Sequence, residues 1–492
     1  MNVLLLYPEF PDTFWSFKHA LKFVRKRASM PPLGLLTVAA LLPQTWNLRL
    51  VDLNVTRLTE RDLTWADYAF VSAMVVQRQA ARQVIARCKQ AGLAVVAGGP
   101  LFTLESEQFP EVDHFVLNEA ELCLPPFLAD LAQGAARRTY TAAGYPDIRR
   151  SPTPLWRLAD LKRYASMGVQ FSRGCPFNCD FCNVTALLGH QPRTKTSGQI
   201  LAELNGLYAL GWRGRVFFVD DNLIGNKKYL KEELLPVLAE WHRGKAGMPF
   251  NTEASINLAD DAELMRLMVD AGFTTVFVGI ETPDEVSLAE CNKKQNRNRD
   301  LVADVKRLQQ AGLEVQGGFI VGFDNDTPAI FARQIEFIQQ SGIVTAMVGM
   351  LQAMPGTKLH DRLAREGRLT GAASGDNVEA TTNILPTMTL ETLYAGYRSL
   401  LRHLYAPEHY YARVKTFLQE YRLPKIQEPL GLQHVLALFR SIVHLGIVGR
   451  ERLEYWRLFL WALFRRPRLF PLAITLAIYG YHFRQVCNLH IG

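Results

Sequence analysis

At 492 residues the chain is long enough for two or three domains, and 48% hydrophobic with 21% charged residues fits a globular protein. Seven cysteines, three of them in one loop, exclude a disulfide framework, and free thiols suit a reducing cytoplasm. The net charge of +8 is unevenly spread: residues 398–492 hold 14 Lys/Arg against 5 Asp/Glu, so the rest of the chain is near neutral.

The chain opens on Asn2-Val3-Leu4-Leu5-Leu6-Tyr7, which reads as a strand without the basic start or small-residue cleavage site of a signal peptide. Similar apolar runs at 48–53, 68–72, 93–97 and 114–117 predict further strands buried on both faces. Helical patterns at 33–42, 77–91 and 121–131 alternate with them, which argues for a doubly wound parallel sheet. Such sheets bind ligands at the carboxyl ends of their strands. Those ends carry Tyr7-Pro8, Asp52-Leu53-Asn54, Ser72-Ala73-Met74 and Gly98-Gly99-Pro100. No G-x-G-x-x-G follows the first strand, which argues against a nicotinamide site. Residues 141–167, with Pro146, Pro152 and Pro154, read as a linker.

Directly after the next apolar strand stands Phe171-Ser-Arg-Gly-Cys175-Pro-Phe-Asn-Cys179-Asp-Phe181-Cys182-Asn183. Three thiolates in C-x3-C-x2-C spacing suit one loop wrapped around an iron-sulfur cube, leaving one iron open. A structural zinc site normally needs four ligands, and His190, eight residues beyond Cys182, is poorly spaced to be the fourth.

Six strand-then-helix units follow, with strands at 168–171, 215–219, 250–254, 274–280, 314–321 and 345–351. A β/α barrel carries its chemistry at the carboxyl ends of its strands. After the cysteine loop, those ends hold Asp220-Asp221-Asn222, Glu253-Ala254-Ser255, Glu281-Thr282, Gly322-Phe323-Asp324 and Pro355-Gly356-Thr357. Asp284 and Asp324 read as helix caps or solvated loop charges.

The barrel pattern ends in a loop at 370–375, and the remainder reads as helices, including 390–404 and 432–445. Between 454 and 480, aromatics and leucines are interleaved with Arg465, Arg466 and Arg468, while Pro467 and Pro471 prevent a membrane span. Two readings stay open: an interfacial helix on an anionic membrane, or a cap packed on the barrel. Nucleic acid is not an expected partner, because the basic residues sit among long apolar stretches.

The cysteine loop resembles the signature of the radical S-adenosylmethionine (SAM) superfamily, with Phe181 as the aromatic before the third cysteine. That resemblance implies a 4Fe-4S cluster on Cys175, Cys179 and Cys182, whose open iron binds SAM for reductive cleavage to a 5′-deoxyadenosyl radical. It also implies that Asp221 and Glu253 hold the ammonium and ribose hydroxyls, and that Gly318-Phe-Ile-Val-Gly322 lies against the adenine. Glu281, in Gly279-Ile-Glu-Thr282, is similar to a motif widespread in these barrels.

Residues 1–140 resemble the cobalamin-binding domain of B12-dependent radical SAM proteins. The likeness rests on Met30-Pro-Pro-Leu-Gly34, Val51-Asp52-Leu-Asn54, Ala97-Gly98-Gly99-Pro100 and Asn118-Glu119-Ala-Glu121. Gly34, Asp52, Asn54, Ser72, Gly98, Gly99 and Glu119 are the implied cobalamin contacts. The cobalt-binding histidine of D-x-H-x-x-G is absent, since Asn54 stands two residues after Asp52, so a cobalamin face without histidine is expected.

The three-part order, with Asp220-Asp-Asn-Leu-Ile-Gly-Asn226 and Gly480-Tyr-His-Phe-Arg484, resembles the subgroup with a DUF4070-type extension, that of the hopanoid C-2 methylases. The expected layout is a Rossmann-like cobalamin-binding domain at 1–140, a linker at 141–167, a partial (β/α)6 radical SAM barrel at 168–369 and a helical extension at 376–492. The expected activity is methyl transfer to an unactivated carbon of an apolar, lipid- or hopanoid-like substrate. A flavodoxin- or ferredoxin-type electron donor and a cytoplasmic location, peripheral at the inner membrane face, complete the expectation. The alternatives are a non-methylating rearrangement or cyclisation, and a cluster or cobalamin sensor.

Overall fold

The computed structural model describes residues 1–491. Its first sheet holds β1 (Asn2–Tyr7), β2 (Asn47–Asp52), β3 (Tyr68–Ser72), β4 (Ala94–Gly98), β5 (His114–Val116) and β6 (Thr139–Tyr140), in the order β2-β1-β3-β4-β5-β6. Every pairing is parallel. Val3, Leu4, Leu5 and Leu6 are all buried, because helices cover both faces of this central strand. The helices Leu33–Leu41 and Ala120–Ala132 pack on one face, and Arg78–Gln90 with Pro100–Glu105 on the other. The strand order reverses between β1 and β3, which opens a crevice at their carboxyl ends.

The stretch read as a linker is a packed connection instead. Trp156 and Tyr164 are buried, the Leu155 N–H donates to the Leu36 carbonyl at 3.0 Å, and a barrel strand begins at Ser166. Its prolines break periodicity without exposing the chain; two aromatic anchors hold it down.

The second sheet is all parallel, its six strands paired in chain order. Its strand β7 (Ser166–Val169) is followed by a small antiparallel pair, β8 (Ser172–Arg173) and β9 (Arg193–Thr194), which brackets the cysteine loop. Then come β10 (Arg215–Phe218), β11 (Phe250–Glu253), β12 (Phe273–Glu281), β13 (Glu314–Val321) and β14 (Ala346–Met350). The barrel stays open between β7 and β14, and both edges are covered. At β14, Tyr397 and Tyr405 from the helix Leu390–Tyr405 donate their hydroxyls to the Val348 and Ala346 carbonyls, at 2.9 and 2.5 Å. At β7, Ala165 and Ser166 N–H groups donate to Ala28 and Ser29 carbonyls.

That second cover comes from residues 8–32, for which the sequence suggested no element. Phe14 stacks on Phe483 with ring centroids 4.1 Å apart, and the Trp15 indole N–H lies 2.9 Å from the Met347 sulfur. The amino-terminal segment and the last helix, Phe470–Ile491, therefore close the barrel together.

The helices of the carboxyl-terminal region are covered to different extents. Phe470–Ile491 is a cap: Ala473, Leu476, Ala477, Phe483 and Val486 are buried. The hairpin at 432–465 also buries one face, through Ala437, Ser441, Leu445, Tyr455, Leu458 and Ala462. Its outer face is apolar and open, with Phe439, Ile447 and Phe464 exposed by 61%, 60% and 75%. Among the described residues no helix is long and apolar enough to cross a membrane.

Candidate functional site

The cysteine loop leaves the barrel through Gly174, whose φ of +96° suits glycine alone. A Cβ there would stand within 3.0 Å of the Leu188, Gly189 and Gln191 carbonyl oxygens, so the loop closes only around a missing side chain. Asp220, completely buried, accepts from the Phe171 and Ser172 N–H groups and from the Ser172 hydroxyl. Arg173 on β8 reaches Glu119 at 2.5 Å and Glu121 at 2.9 Å, and Arg193 on β9 reaches Glu119 at 2.8 Å. Four charges thus clamp the base of the loop to the end of the first sheet.

Cys175, Cys179 and Cys182 are free, half-buried thiols. The Asn222 side-chain amide approaches the Cys175 sulfur at 4.0 Å, and the Gln295 amide donates to the Cys179 sulfur at 3.7 Å. Burial pushes the free Cys182 thiol up to about 12, so metal ligation is what would make it a thiolate at neutral pH. Among the described residues no three His, Cys, Asp or Glu side chains converge on a single metal ion. His190 is exposed, and the buried Cys291 thiol turns to the Leu288 carbonyl at 3.7 Å. Three thiols without a fourth ligand, with amide donors on two of the sulfurs, fit a multi-iron cluster with one open corner.

Beside the loop, the Asp221 carboxylate accepts only from its own backbone N–H, and the Glu253 carboxylate has no hydrogen-bond or ion-pair partner among the described residues. Burial pushes Asp221 up to about 6, and burial followed by repulsion from Asp221 and Asp220 pushes Glu253 up to about 8. Such a pair is set to receive a cation or hydroxyl donors. Glu281 differs: it sits at a bulge in β12 with φ of +64°, and its carboxylate accepts from Lys293 at 2.6 Å. Burial opposes the charge on Lys293, yet Glu281 and then Cys179 hold its pKa above the ordinary lysine value. The sequence reading missed Lys293, because Asn292-Lys-Lys-Gln295 looks like a solvated run until the fold brings it to the cysteines.

A cavity of about 950 Å³ runs down the barrel from this rim. Phe181, Cys182, Glu253, Glu281 and Gly318 line its upper end, and Trp15, Phe277, Met347 and Ile478 its body. Gly318 leaves room for the Phe277 ring, which would stand 2.7 Å from a Cβ there. Gly322 faces elsewhere: its N–H donates to Asp326 at 2.8 Å, and Leu393 covers its α-carbon. Asp284 caps the helix Glu285–Glu290 as expected, whereas Asp324 is no solvated charge, being tied to Arg362 and Arg368 at 2.8 and 2.5 Å.

At the first sheet's rim the polar side chains turn inward. Asp52 accepts from the Asn54 backbone at 2.9 Å, the Asn54 amide at 2.7 Å and the Tyr164 hydroxyl at 2.9 Å. The Asn54 side-chain oxygen in turn accepts from the Phe10 N–H. Asp52, Asn54 and Glu119 are thus each held by partners within the protein. Gly99, with φ of +92°, lets β4 press against Ser72, whose hydroxyl would lie 2.6 Å from a Cβ. Gly98 approaches the Val116 carbonyl in the same way, while Gly34 and Met74 are exposed. The only histidines before residue 140, His19 and His114, stand away from this rim: His19 packs near His482 and His114 starts β5.

Residues 169–338 match the radical SAM superfamily model, and residues 357–491 match the domain of unknown function DUF4070. An uncharacterised methyltransferase of Synechocystis is 41% identical across 100% of this chain and 94% of its own length. Hopanoid C-2 methylase of Rhodopseudomonas palustris is 34% identical across 94% of this chain and 90% of its own. Among solved structures, the cobalamin-dependent SAM radical enzyme OxsB matches with a TM-score of 0.63 at 14% identity, covering 99% of this chain and 84% of its own. The radical SAM methyltransferase TsrM of Kitasatospora setae matches with a TM-score of 0.56 at 14% identity, covering 76% and 79%. The fold is thus a Rossmann-like domain, a partial radical SAM barrel and a helical extension. The chain belongs to the radical SAM superfamily, in the DUF4070-bearing subgroup that includes hopanoid C-2 methylase.

Proposed function

We propose that the protein is a cobalamin-dependent radical SAM methyltransferase acting on an unactivated carbon of an apolar substrate. The observation that carries this reading is the meeting of three free thiols, two carboxylates without ion-pair partners and an apolar cavity at one rim. When bound, the cluster supplies the electron for SAM cleavage and cobalamin carries the methyl group. Cys175, Cys179 and Cys182 hold the cluster, with Asn222 and Gln295 tuning two sulfurs and Lys293 offsetting negative charge. Asp221 and Glu253 take the ammonium and ribose hydroxyls of SAM by charge-assisted hydrogen bonds. Phe181 and Gly318 form the wall beside them, Glu281 orients Lys293, and Gly322 shapes the turn after β13.

Cobalamin is assigned to the first sheet's rim, chiefly to backbone. Gly34, Ser72, Gly98 and Gly99 provide close approach, while Asp52, Asn54 and Glu119 stiffen the loops that carry them. The proposed division is a cobalamin domain at 1–140, a connection at 141–167, a barrel at 168–369 and a helical extension at 376–492. The electron donor is an external flavodoxin or ferredoxin type.

The test is anaerobic reconstitution with iron, sulfide and cobalamin, followed by SAM and a strong reductant. Formation of both 5′-deoxyadenosine and S-adenosylhomocysteine supports methyl transfer. Deoxyadenosine alone, with substrate supplied, points to a non-methylating radical enzyme; neither product, from protein with intact cluster, points to a sensor.

One observation favours a peripheral membrane contact as well. The open apolar face of the 432–465 hairpin is flanked by Arg450, Arg452, Arg465 and Arg468, and residues 422–492 hold 10 Lys/Arg against 3 Asp/Glu. Sedimentation with anionic but not neutral vesicles is the expected result, and equal behaviour with both removes the membrane role.

A further inference from the structure

The lower end of the cavity differs from its body. Its polar lining comes from the amino ends of the barrel strands, the end opposite the cysteines. Arg215, the first residue of β10, lines it, and no hydrogen bond or ion pair holds its guanidinium among the described residues. Tyr479 lines the wall beside it, its hydroxyl likewise without a hydrogen-bond partner among the described residues, and the buried Asn251 side-chain oxygen is unpartnered too. A guanidinium carries five donors and remains charged, so leaving one in an apolar barrel without an acceptor is costly.

Glu314 and Glu428 act on Arg215 through space, but neither is hydrogen-bonded or ion-paired to it among the described residues. Glu314, the first residue of β13, lies outside the cavity lining and forms no ion pair with Arg215. Glu428 also lines this end, but lies 3.6 Å from His434. Lys26 adds a second cation, its ammonium donating to the Lys162 carbonyl at 2.9 Å. The mouth is close by: Leu430 and Val435, exposed by 67% and 48%, line the same cavity.

We propose that this lower end is a subsite for the anionic oxygens, carboxylate or phosphate, at one end of an elongated amphiphile, bound by Arg215 with Tyr479 and Lys26 beside it. The apolar body then extends past Phe277 and Met347 to the cysteine rim. Thr275 and Glu281 bracket that path on one strand, six steps or about 20 Å apart. This deepens the methyltransferase reading and rests on it for which end of the ligand meets the chemistry. The subsite itself makes substrate choice a matter of length: the polar end fixes one terminus, and the carbon about 20 Å away reaches the rim.

The test is binding, separate from turnover. Reconstituted full-length enzyme is titrated anaerobically with cis-parinaric acid, its methyl ester and the corresponding alkyl phosphate, read by polyene fluorescence. The acid and the phosphate should bind about tenfold or more tighter than the ester. Arg215→Gln should remove that preference while leaving ester binding unchanged, and Arg215→Lys should keep part of it. A preference for phosphate alone, or for carboxylate alone, identifies the source of the anion and supports the subsite. Equal binding of acid, phosphate and ester by the native protein, or an undiminished preference in Arg215→Gln, overturns it. Glu253→Gln should keep the anion preference while losing deoxyadenosine formation. Anion preference in a native protein that makes no deoxyadenosine would therefore sink the catalytic reading alone.

Discussion

The two sheets present the same kind of rim, loops at the carboxyl ends of parallel strands, yet they treat their acids in opposite ways. On the first sheet, Asp52 and Glu119 are saturated by Asn54, Tyr164, Arg173 and Arg193. On the barrel, Asp221 and Glu253 are half-buried with no ion-pair partner among the described residues, and burial pushes both above the ordinary carboxylate range. A satisfied buried acid is a structural tie. An unsatisfied one stores a cost that a ligand can relieve, which marks the barrel rim as the place where side chains do the binding. The first rim, in contrast, offers shape and backbone.

The largest break in that contrast is loss of a thiol. Cys179→Ala should abolish both deoxyadenosine and S-adenosylhomocysteine while cobalamin, seen in the visible spectrum, still binds. Next comes the clamp: Glu119→Gln leaves Arg173 and Arg193 short of an anion and should lower stability by about 3 kcal/mol in urea unfolding. Glu253→Gln should do the reverse, weakening SAM about ten- to a hundredfold in equilibrium dialysis while the ligand-free protein becomes no less stable.

The pH dependence sharpens the same point. Folding raises the Glu253 pKa to about 8 and that of Asp221 to about 6, against about 4 in an unfolded chain. At these two sites the folded state therefore holds extra protons, and their contribution to stability is fully present below about pH 4 and is lost as pH rises through 6 and then 8. Comparing native protein with Glu253→Gln at pH 5 and pH 8 should show the native protein losing ground at the higher pH; parallel curves would refute the shift. The smallest effect is Tyr164→Phe, which removes one hydroxyl from Asp52 and should cost about 1 kcal/mol with SAM binding intact.

Sequence and structure agree most closely where pattern is local. The runs at 2–7, 68–72 and 314–321 are strands with those bounds, because a strand buried on both faces reads as a continuous apolar run. The strand β6 was not legible, since two residues carry no period, and its place is set by Tyr140 donating to Asp130 at 2.8 Å. Nor was the role of residues 14–29 legible, because their aromatics find their partners in Phe277, Met347 and Phe483, hundreds of positions away.

The sequence by itself determined the ligand chemistry: three cysteines at fixed spacing in one loop can serve a cluster whatever surrounds them, and the alternation of strands and helices dictates parallel sheets with functional rims. Only the tertiary structure decided which acids are free and which are tied. Arg173, Arg193 and Tyr164 meet theirs across 54, 74 and 112 residues, and pairing at such separations is set by packing, not by local pattern. The same holds for the cavity, whose walls come from both ends of the chain and whose lower cation, Arg215, looks in sequence like any charge at the start of a strand.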